Sequence, residues 1–152
     1  MFRLRKTLEG CGLPEHEYIR TDSGIYRWDG GGVPVYIDAK DFEITAHKAL
    51  KQRDESLLKR ACGLYQGEFM AQLAGEKWVS IIGVRYQELY FDCLRMAYYI
   101  MKDNREYTDL LELASDACDL YPYEECQIMK IDCLIAMKRF KDAMQVYDQA
   151  VT

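Results

Sequence analysis

Arg3, Arg5 and Lys6 open the chain as a compact basic cluster, and side chains of this type on a helix could contact DNA phosphates or base edges in a major groove. Arg20 and Arg27 add two cations on β-prone runs, which brings about four phosphates within reach and a log–log salt slope of about −3.6 at most. That is too little to hold DNA tightly without further elements. Thiolate or metal chemistry is a second candidate, because the chain has six cysteines, Cys11, Cys62, Cys93, Cys118, Cys126 and Cys133. None forms a CxxC pair, and most lie among Leu, Met and Ala, so reduced, buried thiols are expected instead of disulfides or zinc. Cys126 and Cys133 share one helical face, but two ligands do not make a zinc site. Hydrolytic or nucleophilic chemistry finds no constellation around His16 or His47. Gly30-Gly31-Gly32 lacks the lysine and helix start of a phosphate-binding loop. Neither catalysis nor a bound cofactor is expected.

The elements that would position these residues fall into two textures. Residues 10–37 hold six of the ten glycines and two of the three prolines, and read as turns and short strands. Phe2 to Glu9 reads as the tail of a helix. Tyr18–Thr21 and Ile25–Trp28 flank Asp22-Ser23-Gly24, a hairpin signal, and Val33–Ile37 returns as an extended segment in which Pro34 permits only an edge or a strand start. From Asp38 onward the pattern is helical: Asp38 as N-cap, a second helix through Leu57–Leu64, and a long one from Glu76 to about Lys102. Trp78, Ile81, Ile82, Leu89, Leu94, Ala97, Tyr98 and Met101 recur on that helix.

Composition agrees with a folded, water-soluble chain: 49% hydrophobic, 30% charged, with no apolar run of membrane-spanning length and no signal-peptide core. A cytoplasmic location is expected. Net charge is −5, and all of it falls on residues 41–152, with fourteen Lys/Arg against nineteen Asp/Glu, a poor surface for nucleic acid.

The last third of the chain repeats itself. Tyr107, Leu110, Leu111, Ala114 and Ala117 return 33 positions later as Phe140, Ala143, Met144, Tyr147 and Ala150, and Leu120-Tyr121-Pro122 closes the first block. A period of 33–34 with an aromatic, small residues and a closing proline is the tetratricopeptide pattern. The fold class expected is mainly α: a tetratricopeptide-like array of helical hairpins over residues 38–152. A small unit with a helix end and a β-hairpin, residues 1–37, precedes it.

The segment from Asp38 to Thr152 resembles the bacterial transcriptional activator domain. The resemblance is carried by Asp38 and Phe42, by Leu64-Tyr65-x-Gly67-Glu68-Phe69-Met70, by Trp78 at a short distance, by Arg85 and Leu89, and by the repeat. It implies a regulatory, protein-contacting module of an activator similar to those that switch on antibiotic pathways. Its partners would be its own DNA-binding domain, a second subunit or the transcription machinery, with a homodimer among the outcomes. In such regulators a winged helix-turn-helix comes directly before this domain. Phe2–Glu9 then resembles the end of the recognition helix and Ile19–Trp28 the wing, with Asp22 where a basic residue is common. The remainder of that domain would precede Met1, so the chain is expected to be a fragment, and DNA contact to need the complete protein. The alternative is a free-standing tetratricopeptide adaptor that binds a peptide in its concave groove.

Tyr65, Gly67, Glu68, Phe69 and Trp78 are read as a structural junction, with Gly67 supplying a turn and Trp78 buried as its anchor, a residue whose loss would cost roughly 3–5 kcal/mol. In a tetratricopeptide stack the first helix of each pair lines the concave side. The candidate groove residues are therefore Tyr90, Arg95 and Tyr99 on the long helix and Gln127, Lys130 and Asp132 on the helix from Tyr123 to Met137. For Tyr90 and Tyr99 a core position is the open alternative, because one sequence does not fix helical phase.

Overall fold

A computed structural model describes residues 2–151 of the chain. It divides into two compact units, with the boundary between Ile37 and Asp38.

In the first unit, helix α1 (Phe2–Gly10) stops at Gly10, and Gly12 follows with φ +75°. Strands β1 (Ile19–Asp22) and β2 (Ile25–Trp28) pair antiparallel, with Ile19 opposite Trp28 and Arg20 opposite Arg27. The link between them is two residues long, and Ser23 and Gly24 take φ +50° and +81°. Positive φ at both central positions matches the right-handed twist of the strands, as in a type I′ turn. Arg5 ties helix to hairpin by donating from Nη2 to the Ile19 carbonyl at 2.8 Å. Tyr18, 5% exposed, stacks on Trp28 and donates its hydroxyl to the Pro14 carbonyl at 2.7 Å. Val33–Ile37 departs from expectation: no strand forms there among the described residues, since Pro34 has no N–H to offer a ladder.

The second unit holds α2 (Asp38–Gln52), α3 (Glu55–Leu64), α4 (Lys77–Asn104), α5 (Tyr107–Leu120), α6 (Glu124–Ala136) and α7 (Phe140–Ala150), with one 3₁₀ turn at Ala71–Leu73. Successive helices pack on one another, and α2 also reaches α4. Alanines at the crossings, Ala46, Ala49, Ala61, Ala97 and Ala117, are wholly buried and let the axes approach closely. The repeat extends to backbone detail. Arg105 and Lys138, 33 residues apart, both adopt left-handed conformations with φ near +60°. After each, the next N–H reaches back five residues: Glu106 to Met101 at 2.9 Å, Arg139 to Leu134 at 2.8 Å. These closures satisfy carbonyls that a helix end leaves open.

Aromatic residues fill the junction of α2, α3, α4 and α5. Tyr65 stacks on Tyr90 with ring centres 4.6 Å apart, Phe42 tilts against Tyr65, and the Tyr65 and Tyr121 hydroxyls meet at 2.7 Å in a buried contact. Burial, then that hydrogen bond, pushes the Tyr65 phenol well above its ordinary range. The hydroxyl pair gives a measurable prediction. Tyr65→Phe strands the Tyr121 hydroxyl without its partner and should cost about 1–3 kcal/mol, whereas Tyr65→Phe with Tyr121→Phe should cost less than the two single changes summed. Urea unfolding of the four proteins measures the coupling.

The six cysteines are all free thiols, with Cys11 exposed and Cys62, Cys93, Cys126 and Cys133 buried. Among the described residues no group of three or more His, Cys, Asp or Glu side chains is placed to hold a metal ion. No helix among them is long and apolar enough to cross a membrane.

Candidate partner-binding groove

The exposed sides of α4 and α6 face a common groove. Its walls are Tyr98, Tyr99 and Lys102 from α4 and Glu124, Glu125, Ile128, Met129 and Asp132 from α6, around a cleft of about 510 Å³. A neighbouring cleft continues it past Tyr99 to Asp92, Arg95, Met96, Arg53 and Leu50. Tyr99 stands between the two, 64% exposed, and Ile128 and Ile135 lie two turns apart on the facing helix. Phe91, Gln87 and Glu88 extend the surface toward the start of α4, where Gln87 donates to the Tyr123 hydroxyl at 3.1 Å.

Ion pairs brace the groove from wall to wall. Arg95 grips Glu125 through two parallel bonds, Nε to Oε1 at 2.6 Å and Nη2 to Oε2 at 2.9 Å, and sits over the Phe91 ring. Lys102 donates to Asp132 at 2.8 Å and to the Tyr98 hydroxyl at 2.8 Å, while that hydroxyl itself donates to Asp132. The Asp132 and Tyr98 bonds hold the Lys102 ammonium above its usual range. Burial opposes ionisation of Asp132, but Lys102 and Tyr98 outweigh it and leave its carboxyl below the ordinary value. Forked guanidinium–carboxylate pairs add directional precision more than stability at this degree of exposure. The floor carries more acid than base.

The sequence-derived candidates separate here. Tyr99 and Arg95 line the groove, though Arg95 is committed to Glu125 and Asp92 within the chain. Tyr90 does not reach it: 1% exposed, it belongs to the core, stacked on Tyr65. Lys130 and Gln127 are half-buried and lie off the groove, and Lys130 instead neighbours Cys118 of α5. At about 100° per residue, Lys130 points roughly opposite to the Ile128–Asp132 face. Lys102, Glu125 and Ile128 were missed, because nothing local marks which side of α6 is covered by its neighbours.

Trp78 requires a correction. It is 50% exposed, touching Phe69 edge to face at 6.5 Å. Val79, one residue on, takes the buried position at 1%, and the helical rotation between them carries the indole outward. Ile81 is likewise 61% exposed, not core. Tyr65 is the true anchor of that motif, Gly67 turns with φ +119°, Phe69 bridges to Tyr86, and Glu68 faces solvent. Trp78→Ala is accordingly expected to cost no more than about 1 kcal/mol in urea unfolding.

In the first unit, Arg5 bonds Ile19 and Thr21 and pairs with Glu17, while Arg20 pairs with Asp29 at 2.9 Å. Arg3, Lys6 and Arg27 are exposed. The cross-strand register sets Arg20 against Arg27, and Asp29 already offsets the Arg20 charge.

Helices packed on their sequence neighbours around an alanine-and-aromatic core, with a braced groove along one side, define a mainly helical domain. Its family is shown by comparison. The family model of the bacterial transcriptional activator domain matches residues 37–152, and the chain belongs to that family. This makes it a regulatory module of the bacterial transcriptional-activator type, from a family of transcriptional regulators that are generally not enzymes. The searches of curated proteins and of solved structures returned no match.

Proposed function

We propose that residues 38–152 act as the protein-contacting module of a cytoplasmic bacterial activator, in a tetratricopeptide-like stack whose α4–α6 groove receives an extended or helical segment of a partner protein. The observation that carries this reading is the pair of exposed apolar side chains, Tyr99 and Ile128, held at fixed separation by the Arg95–Glu125 and Lys102–Asp132 pairs. A pre-ordered groove loses little freedom on binding, which is where affinity is gained. Glu88, Asp92, Glu124, Glu125 and Asp132 outnumber Arg53, Arg95 and Lys102 along its length, which suits a segment bearing Lys or Arg. In the same reading residues 1–37 are the end of a winged helix-turn-helix, and Arg3, Lys6 and the Arg20–Arg27 pair meet DNA phosphates in the complete regulator.

Purified RNA polymerase holoenzyme and the full-length regulator are the two probes. The chain should bind at least one, and Tyr99→Ala with Ile128→Glu should weaken that binding at least tenfold, whereas Lys130→Glu should leave it unchanged. Binding to neither probe removes the activator reading; capture of a free peptide from a library would then favour the adaptor.

A further inference from the structure

Helix α2 carries a charge pattern opposite to that of the unit it belongs to. Residues from 41 onward hold the whole net charge of −5, yet the outer side of α2 shows Lys40, His47, Lys48 and Lys51 and no carboxylate. These residues, with Ile44 among them, fall within about 100° of arc around the helix axis. That arc lies opposite Phe42, Thr45, Ala46 and Ala49, the side buried in the core. Ile44, in the stripe, is 58% exposed.

The carboxylates that border the stripe are held by neighbouring helices. Asp41, on one side, meets Arg60 of α3 at 3.5 Å, and Glu43, on the other, accepts from Arg85 of α4. Among the described residues Lys40, Lys48 and Lys51 have no hydrogen bond or ion pair. The fold gains little from them. Lys51 suits the last turn of α2, but Lys40 stands in the first turn, where the helix dipole favours an acid. Lys48 and Lys51, three residues apart, repel one another. A solvent-exposed, β-branched Ile44 adds less to the helix than most residues would.

We propose that this stripe docks an acidic amphipathic helix of another protein, one that sets Asp or Glu side chains around a single large apolar residue. Charge complementarity selects the sign of the partner, and Ile44 selects its kind. A nucleic-acid backbone would bring nothing apolar to Ile44. Beyond a stripe about 16 Å long it would also run onto an acidic unit that repels it. A short helix instead spans the stripe, sets carboxylates against the Lys40, Lys48 and Lys51 ammonium groups, and covers Ile44 with its apolar residue. None of the stripe residues lines the α4–α6 groove, whose surplus of acid suits a segment of the opposite charge. The two surfaces therefore receive different partners or different segments.

The probe is a labelled synthetic helical peptide of about 16 residues, with glutamates around one leucine on a single face. Its control has the same residues in scrambled order. By fluorescence anisotropy at ~50 mM salt, the complete chain should bind the probe at least about tenfold more tightly than the control. Raising the salt to ~300 mM should weaken that binding at least about fivefold. Lys48→Glu with Lys51→Glu should weaken it at least about tenfold, and Ile44→Ala about fivefold. Circular dichroism and the urea midpoint of these variants should stay at or above those of the unaltered chain, since the stripe serves a partner and not the core. Tyr99→Ala with Ile128→Glu should leave the peptide bound, so this surface and the groove fail or stand separately. Absence of binding, equal binding of probe and control, or binding indifferent to Lys48 and Lys51 overturns the proposal. Duplex DNA held more tightly than the peptide, and lost with the same lysines, also overturns it and assigns the stripe to a phosphate backbone.

Discussion

Tyr90→Ala is expected to destabilise the helical unit by about 3–5 kcal/mol, a large part of the 5–15 kcal/mol that holds a typical domain together. Tyr90 is 1% exposed, lies face to face with Tyr65, meets Phe91 edge to face, and tilts against Tyr121. Removing its ring opens a cavity where four helices converge. The neighbours able to collapse into it are themselves aromatic rings fixed by mutual contact and by the Tyr65–Tyr121 hydroxyl bond. Chemical unfolding at pH 7 measures the loss. Under the groove reading first drawn for this residue, alanine would lower partner affinity and leave stability unchanged, so one experiment decides between the roles.

Raising the pH should unfold the protein between about pH 10 and 11. Burial, reinforced by the neighbouring Cys93, pushes the Cys62 thiol up to about 12, and burial likewise lifts Cys93 to about 12. Cys126 and Cys133 rise to about 11, again chiefly through burial. In the unfolded chain these thiols return to about 9 and release protons that the native state retains. Each raised group therefore contributes its stability in full below about pH 9. It loses that contribution as pH climbs toward the native value, at about 1.4 kcal/mol per pH unit. Four such groups together lose about 10 kcal/mol within about two pH units, comparable with the 5–15 kcal/mol that holds an ordinary domain. The Tyr65, Tyr90 and Tyr121 phenols, raised by the same burial, steepen the fall. Stability measured by denaturant at several pH values should show this slope, and Cys62→Ala with Cys93→Ala should make it shallower by about two protons. A flat stability curve to pH 11 would show the thiols to be solvated.

Local chemistry made much of the architecture legible without coordinates. The expected cap, Asp38, stands as the first residue of α2, where its carboxylate accepts from the Ala39 N–H at 2.7 Å, so residue type marks where that helix begins. Asp22-Ser23-Gly24 marks the hairpin turn. The 33-residue echo reappears in α5 and α7 as helices and in matched left-handed closures at Arg105 and Lys138. Each of these depends on residues a few positions apart, so the sequence carries them directly. The sides of the helices were not legible in the same way. Periodicity groups Arg95 with Tyr99 and Gln127 with Lys130, but it does not say which group meets a neighbour and which meets water. Tyr90 went inward because Tyr65, from a loop 25 residues earlier, stacks on it. Trp78 went outward because Val79 took the contact. Arg95 found Glu125 across 30 residues of chain, closing the groove wall and ending its freedom to grip a partner. Sequence determined the helices, their turns and their repeat, because hydrogen bonding and capping act over single turns. The tertiary structure decided the groove, because burial depends on how helices distant in the chain rotate against one another, and many rotations satisfy the same local rules.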